Sequence, residues 1–151
     1  MSSLDIDVKE TYRGFVAVLC LRAGDVVVVE QFRKELNGYS YELPGGKIES
    51  SENLESAARR ELMEETGLDC RTLYYLGKAD VCPYLTGEPC YLFFAPETTE
   101  KRQQVTDDDE EINVEFHSLE DVFHKFVIGE WNNSELAHAI LLAKLRGHLV
   151  F

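Results

Sequence analysis

Hydrophobic and polar positions form separate blocks along the chain, and these blocks predict both strands and helices. Short apolar runs rich in β-branched or aromatic residues predict strands at 13–22, 26–32, 39–43, 73–81, 90–95 and 113–117. Apolar residues with helical spacing predict helices at 51–66, 118–127 and 134–146. This order predicts one α/β domain over residues 1–151, with a mixed sheet between helices.

Glycine and short polar residues predict where these elements end. Residues 23–25 predict the turn of a hairpin, and Pro44-Gly45-Gly46 predicts a second turn. Gly67 is expected to end the first helix, Ser118 to open the second and Ser134 to open the third. The polar segment 96–111 predicts a loop. The residues expected to face the core from the last two helices are Phe123, Phe126, Val127, Leu136, Ile140 and Leu141.

The first helix combines apolar and acidic positions in an unusual way. Its apolar stripe consists of Leu54, Ala57, Ala58 and Leu62. Glu61 and Glu65 point toward the same side of the helix as this stripe, and Glu64 lies beside it. Carboxylates crowded on an inward side repel one another, and a divalent cation such as magnesium or manganese would compensate. The alternative is a solvated surface helix with ordinary ion pairs such as Arg60 with Glu64.

The spacing of residues 46–68 favours the cation site. They fit Gly-x5-Glu-x7-Arg-Glu-aliphatic-x-Glu-Glu-x-Gly-aliphatic at every fixed position. The chain therefore resembles the Nudix hydrolase family. The resemblance implies an α/β/α sandwich and metal-dependent hydrolysis of a nucleoside diphosphate linked to another group, X. It also implies that Glu61, Glu64 and Glu65 bind Mg²⁺, with Mn²⁺ as the alternative.

The same resemblance implies roles for the residues around these glutamates. The backbone carbonyl of Gly45 is expected as a further metal ligand, since a glycine turn lets the backbone approach an ion closely. Arg60 is expected to brace the glutamates, and Glu52 to pair with Arg60. Structural roles are expected for Gly46, Glu52, Arg60 and Gly67.

The catalytic base differs among Nudix groups, and two locations stay open here. In some groups the signature supplies it, which implies Glu64 or Glu65. In the ADP-ribose pyrophosphatase group it comes from a glutamate in a loop before a late strand. Residues 107–114 are similar to that acidic loop, with Glu110 at the matching position and Glu111 as the nearby alternative. A solvated acidic loop is the simpler interpretation, and the spacing excludes an EF-hand.

Two further segments are similar to the ADP-ribose pyrophosphatase group. Residues 29–33 and 42–46 resemble its strand and turn before the signature, which implies that Arg33 meets a substrate phosphate; the alternative is an arginine at the rim. Pro83 matches a proline typical of the group, and Glu88 in the same loop is expected to bind substrate. However, the loop sequence Cys-Pro-Tyr-Leu-Thr-Gly-Glu departs from the group's Ser-Pro-Gly-x-x-Asp-Glu.

The expected substrate is therefore ADP-ribose or a related nucleotide sugar. The alternatives are a nucleoside triphosphate pyrophosphatase that cleanses the nucleotide pool, and a Nudix module that senses a nucleotide without cleaving it. Sensor modules commonly lose the carboxylates of the signature, whereas this chain keeps Glu61, Glu64 and Glu65. The resemblance also implies a homodimer.

Composition and charge narrow the classes of partner. The formal net charge of −13 disfavours long nucleic acid. No apolar run approaches the roughly 20 residues of a membrane span, and no signal-peptide core is seen, so a cytoplasmic location is expected. The four cysteines lack metal-finger spacing. Buried thiols are expected at Cys20 and Cys90, with a Cys82–Cys90 disulfide as the less favoured alternative.

Overall fold

The computed structural model describes residues 12–106 and 111–151, in which strands and helices alternate much as predicted. The strands are β1 (Phe15–Arg22), β2 (Asp25–Arg33), β3 (Gly38–Glu42), β4 (Gly45–Lys47), β5 (Leu68–Asp69), β6 (Tyr74–Ala79), β7 (Cys90–Ala95), β8 (Thr99–Glu100) and β9 (Ile112–His117). The helices are α1 (Leu54–Thr66), α2 (Leu119–Val127) and α3 (Ser134–Leu145), and a single 3₁₀ turn at Lys34–Leu36 joins β2 to β3.

The main sheet is mixed, as the sequence predicts. Its central path runs β3-β2-β1-β7-β6, with β4 beside β1 and β9 beside β2. β1 and β7 are parallel, and the other neighbours are antiparallel. β5 and β8 form a separate two-stranded ribbon. The parallel pair lies at the centre, where both faces of the sheet are covered.

Two apolar cores lie on opposite faces of this sheet, because successive side chains of a strand point to opposite faces. Val16 and Val18 of β1 pack in the core that contains the apolar stripe of α1. Ala17 and Leu19 of the same strand pack in the core that contains buried residues of α2 and α3. The result is an α/β/α sandwich, and the predicted fold class is confirmed.

Two short strands depart from the predicted elements. Gly45 and Gly46, predicted as part of a turn, pair with Ala17 and Val16 as strand β4. Strand β8 lies within the predicted loop 96–111 and pairs with β5. Strands of two or three residues are too short to show an alternation of apolar and polar positions in the sequence. They are recognised only by their hydrogen bonds to a partner strand.

The last two helices were predicted with partly wrong ends and faces. Asn133, not Ser134, caps α3, and its Oδ1 accepts a hydrogen bond from the Leu136 N–H at 2.9 Å. Val127 is 83% exposed and Leu141 is 53% exposed, although both were expected in the core. Leu136 and Ile140 are buried as predicted, and Phe123 and Phe126 are partly buried against the core. Fully buried residues that were not predicted are Val122, Ala139 and Ala143. Because α3 is apolar around most of its circumference, its spacing does not single out one buried side.

The cysteines are free thiols. Cys20, Cys70 and Cys90 are buried, which confirms the prediction for Cys20 and Cys90, and Cys82 forms no disulfide with Cys90. Burial raises the pKa of the Cys90 thiol to about 12. Within residues 12–106 and 111–151, no helix has the length and apolarity needed to cross a membrane.

Candidate active site

Helix α1 is held at both ends, which fixes the direction of its acidic side. The Asn53 side chain accepts a hydrogen bond from the Ser56 N–H at 2.8 Å at the start of the helix. At its end Gly67 adopts a left-handed conformation with φ of 74°, and its N–H donates to Met63 O at 2.8 Å. A Cβ at Gly67 would overlap the carbonyl oxygen of Arg102, so glycine is required there. The predicted stripe is buried, and Glu65 is buried with it.

Glu65 connects the end of α1 to strand β4. Only 7% of this residue is exposed, and its carboxylate accepts a hydrogen bond from the Gly45 N–H at 2.7 Å. A charged carboxylate is costly to bury without such a partner. The contact therefore fixes strand β4 against the acidic side of the helix.

Glu61 lies against the next residue of β4. Its side chain is 12% exposed. A Cβ at Gly46 would lie 2.5 Å from the carboxylate carbon of Glu61, closer than real Cβ contacts occur. Because Gly46 has no side chain, the Glu61 carboxylate can pack directly against the backbone of β4.

Arg60 connects the acidic side chains to one another. Its guanidinium binds Glu52 through two hydrogen bonds of 2.7 and 3.0 Å. Its Nη1 donates to Glu61 at 2.9 Å and to Glu64 at 3.1 Å, and its Nη2 donates to the carbonyl of Lys47 at 3.0 Å. The hydrogen bonds with Glu52 are the main cause that raises the pKa of Arg60 and lowers the pKa of Glu52. Arg60 thus contacts two glutamates of its own helix, Glu61 and Glu64, and one in the loop before it, Glu52.

A cavity of about 900 Å³, here called the box cavity, follows this acidic side. It is lined by Phe15, Gln31, Arg33, Gly45, Gly46, Lys47, Ile48, Glu49, Ser50, Arg60, Glu61, Glu64, Glu65, Val105 and Thr106. Most of the site residues predicted from the sequence therefore meet around one space. Sequence reasoning missed Gln31, Lys47 and Thr106, which reach the cavity only through the pairing and packing of their segments.

The NUDIX domain model matches residues 11–138. The chain belongs to the Nudix family. An ADP-ribose pyrophosphatase of Bacillus subtilis (strain 168) is 35% identical over 137 residues, which cover 88% of this chain and 73% of that protein. The methanol dehydrogenase activator of Bacillus methanolicus is 34% identical over 99 residues, covering 65% and 54% of the two chains.

A solved structure titled as an ADP compounds hydrolase has the same fold. It superposes with a TM-score of 0.79 at 19% identity, covering 93% of this chain and 78% of its own. The match to the NUDIX domain model and the 35% identical relative make the chain a Nudix hydrolase, an enzyme of the pyrophosphatase class.

Nudix hydrolases generally use divalent cations, and the donors in the box cavity fit such an ion chemically. Glu61, Glu64 and Glu65 supply the oxygen ligands that hard cations prefer, and Gly46 leaves room for one of these carboxylates. Within the described part of the chain, no three His, Cys, Asp or Glu side chains converge as a ready ligand set. Glu61 and Glu64 contact Arg60 instead, and Glu65 contacts the Gly45 N–H.

A second, smaller cavity adjoins the box cavity of this Nudix domain and is here called the side pocket. Its volume is about 240 Å³, and it shares Phe15, Arg33, Gly45 and Gly46 with the box cavity. Its other lining residues are Val16, Ala17, Glu42, Leu43, Val81, Cys90, Asn133 and Glu135. The site therefore consists of two adjacent cavities, a larger, charged one and a smaller, more apolar one.

Arg33 lies where the two spaces meet, and it is held by Glu42. Its Nε and Nη2 donate to the two carboxylate oxygens of Glu42 at 2.9 and 2.7 Å. Burial alone would raise the pKa of Glu42, but the hydrogen bonds from Arg33 lower it below the ordinary value. The ion pair holds the Arg33 guanidinium at the wall shared by both cavities. That Arg33 binds a substrate phosphate stays a prediction.

Among the described residues, Glu88 and Glu111 do not line these cavities. Glu88 is partly exposed in the loop before β7 and lines neither the box cavity nor the side pocket. Glu110 lies outside the described residues, and Glu111 is exposed just before β9. The roles of Glu88, Glu110 and Glu111 therefore stay predictions.

Proposed function

We propose that this Nudix hydrolase cleaves the pyrophosphate bond of ADP-ribose or a related nucleotide sugar, giving a nucleoside monophosphate and a phosphorylated X. The observation that carries the proposal is the adjacent pair of cavities, which share Arg33 and strand β4. The box cavity gathers the carboxylates and arginines suited to a diphosphate, and the side pocket offers space for an attached ring. The 35% identical ADP-ribose pyrophosphatase, which matches 88% of the chain, supports this substrate class.

The proposed cation ligands are Glu61, Glu64, Glu65 and the carbonyl of Gly45, and the proposed ion is Mg²⁺, with Mn²⁺ as a substitute. A bound divalent ion neutralises charge on the diphosphate and lowers the pKa of coordinated water. The protein must then keep several carboxylates close together despite their mutual repulsion. Arg60 performs this task, because it contacts Glu52, Glu61 and Glu64 at once.

The remaining groups bind the diphosphate and accept a proton. Arg33 presents a planar fork of donors to a phosphate, and Glu42 keeps that fork oriented until substrate arrives. A water oxygen bonds to one phosphorus, the bridging P–O bond breaks, and the leaving phosphate keeps the bridging oxygen. We propose that Glu64, whose side chain is the most exposed of the three at 38%, accepts the water proton. Glu65 and Glu110 are the alternatives.

The proposal also covers features predicted from the sequence. A homodimer and substrate binding by Glu88 are proposed from the family resemblance. A cytoplasmic location and the absence of long nucleic acid as a partner are proposed from the hydropathy pattern and the net charge of −13. A triphosphate pyrophosphatase is the less favoured activity, because the relative that matches 88% of the chain is an ADP-ribose pyrophosphatase. A sensor without activity is less favoured because the carboxylates of the signature are retained.

The decisive experiment is hydrolysis of ADP-ribose in magnesium, with released AMP as the readout and deoxynucleoside triphosphates and other nucleotide sugars in parallel. Replacing Glu64→Gln should lower kcat by about 10²–10⁴-fold, since a positioned base contributes that much. Glu55→Gln is the matched control, because Glu55 lies on the opposite flank of α1 beside Arg59. Hydrolysis of triphosphates alone would overturn the substrate, and nucleotide binding without any hydrolysis would indicate a sensor.

A further inference from the structure

The two adjacent cavities differ in how their charges are paired, and this difference bears on which group can enter each one. The box cavity is lined by three cationic side chains, Arg33, Lys47 and Arg60, and by four glutamates, of which Glu61 and Glu64 contact Arg60. In the side pocket the charged lining residues are Arg33, Glu42 and Glu135. Because Arg33 and Glu42 offset each other in a bidentate pair, Glu135 leaves the side pocket with a net negative formal charge.

Glu135 is held in the wall of the side pocket by the start of helix α3. Asn133 caps this helix and also lines the side pocket, so the cap fixes the position of the first turn. Within the described residues, no hydrogen bond or ion pair to the Glu135 side chain is formed. Cys90 lines the same pocket, and burial first, and then the charge of Glu135, raises the pKa of its thiol.

We propose that Glu135 is a specificity-determining residue that lets the side pocket admit an uncharged, hydroxyl-bearing sugar and reject a sugar that carries a further phosphate. The inference rests on the proposed function and deepens it. An ionised carboxylate only accepts hydrogen bonds, so it suits the hydroxyl groups of a sugar and repels a second anion. The side pocket of about 240 Å³ has room for a sugar ring.

The sugar in the side pocket could come from either end of the substrate. One source is the sugar of X, and the other is the ribose of the nucleoside. Both present the same neighbouring hydroxyl groups. Two analogues distinguish them: ADP-ribose with a phosphate on the distal ribose, and ADP-ribose with a phosphate on the adenosine ribose.

The test compares kcat/KM for ADP-ribose and for the two phosphorylated analogues in wild type, Glu135→Gln and Glu135→Lys. For wild type we expect one analogue to be cleaved at least about tenfold less efficiently than ADP-ribose, because like charges a few ångströms apart repel by that order. Glu135→Lys should raise the relative efficiency of that analogue about tenfold, and Glu135→Gln should give an intermediate value. The analogue that responds identifies the end of the substrate in the side pocket.

Glu120→Lys is the matched control. Glu120 is exposed and is the second residue of α2, as Glu135 is of α3, so both variants make the same change in charge near a helix start. In the control, the ratio of kcat/KM for the phosphorylated analogue to kcat/KM for ADP-ribose should stay within about twofold of wild type. The inference would be overturned if this ratio were equal in Glu135→Lys and Glu120→Lys, or if wild type cleaved all three compounds with equal kcat/KM.

Failure of the proposed function is recognised separately, because wild type would then not cleave ADP-ribose. In that case calorimetric binding of the same three compounds to the metal-free protein replaces the rates. A preference for ADP-ribose that Glu135→Lys removes and Glu120→Lys retains would still support the inference. Binding without preference, or no binding of any of the three, would reject it.

Discussion

Two neighbouring arginines on α1 have very different surroundings. Arg59 donates to Glu55 on its own helix and to the backbone carbonyls of Cys70 and Arg71, which fastens α1 to the segment after β5. Arg60, rotated by about 100° around the helix, contacts the carboxylates beside the box cavity. The same residue type therefore secures the helix on one flank and arranges the charges of the candidate site on the other.

The strongest way to test this contrast is Arg60→Ala. The substitution leaves Glu52, Glu61 and Glu64 close together without their common cation. We expect kcat/KM for ADP-ribose to fall about 100-fold, as for the loss of residues that orient metal ligands. The free energy of unfolding should fall by about 1–3 kcal/mol, since partly buried partners lose charge-assisted hydrogen bonds. Steady-state kinetics and urea denaturation measure the two effects.

Arg60→Lys serves as the control for charge. Lysine keeps the positive charge but lacks the planar fork that binds Glu52, Glu61 and Glu64 together. We expect it to recover much of the stability and little of the activity. Activity close to wild type in Arg60→Ala would show that the glutamates need no bracing.

A smaller effect, on stability alone, is expected for Arg59→Ala. The variant should lower the free energy of unfolding by about 1–2 kcal/mol, because two backbone carbonyls lose their donor. Its kcat/KM should stay within about threefold of wild type, since Arg59 does not line the box cavity. Glu55→Ala removes only the exposed pair on the helix and should cost about 0.3–0.5 kcal/mol. A large loss of activity in Arg59→Ala would contradict the division between the two flanks.

The smallest expected effect concerns pH and the pair between Arg60 and Glu52. Arg60 lowers the pKa of Glu52 below its ordinary value of 4.5. The pair therefore stabilises the folded state above about pH 4.5, and this contribution is lost as the pH falls through the lowered pKa. Glu52→Gln should be less stable than wild type near neutral pH and should lose less stability on acidification. Urea denaturation at pH 7 and at pH 3–4 measures this, and parallel curves for both proteins would contradict it.

The sequence predicts the acidic side of α1 well, because local spacing alone determines it. The stripe of Leu54, Ala57, Ala58 and Leu62 is buried as predicted, and the cap at Gly67 is confirmed. Helical periodicity places Glu61 and Glu65 on the inward side before any tertiary contact is known. The order of the elements predicts a mixed sheet between helices, and the family resemblance implies the α/β/α sandwich.

The side pocket was not predictable, because its residues come from distant segments. Glu42 lies at the end of β3, Cys90 at the start of β7, and Glu135 in the first turn of α3. None of these positions has a local pattern that marks it as part of a site. Strand β4 was missed for a similar reason, since the pairing of Gly45 and Gly46 with β1 is a tertiary contact.

The hydrogen bond from the Gly45 N–H to Glu65 makes this backbone amide a spectroscopic probe of the Glu65 carboxylate. The amide proton points at a carboxylate that is also a proposed cation ligand. When that carboxylate changes partner, the nuclear magnetic resonance signal of the amide should shift and its exchange with solvent should quicken. Occupancy of the site can thus be followed at a single glycine, without substrate and without turnover.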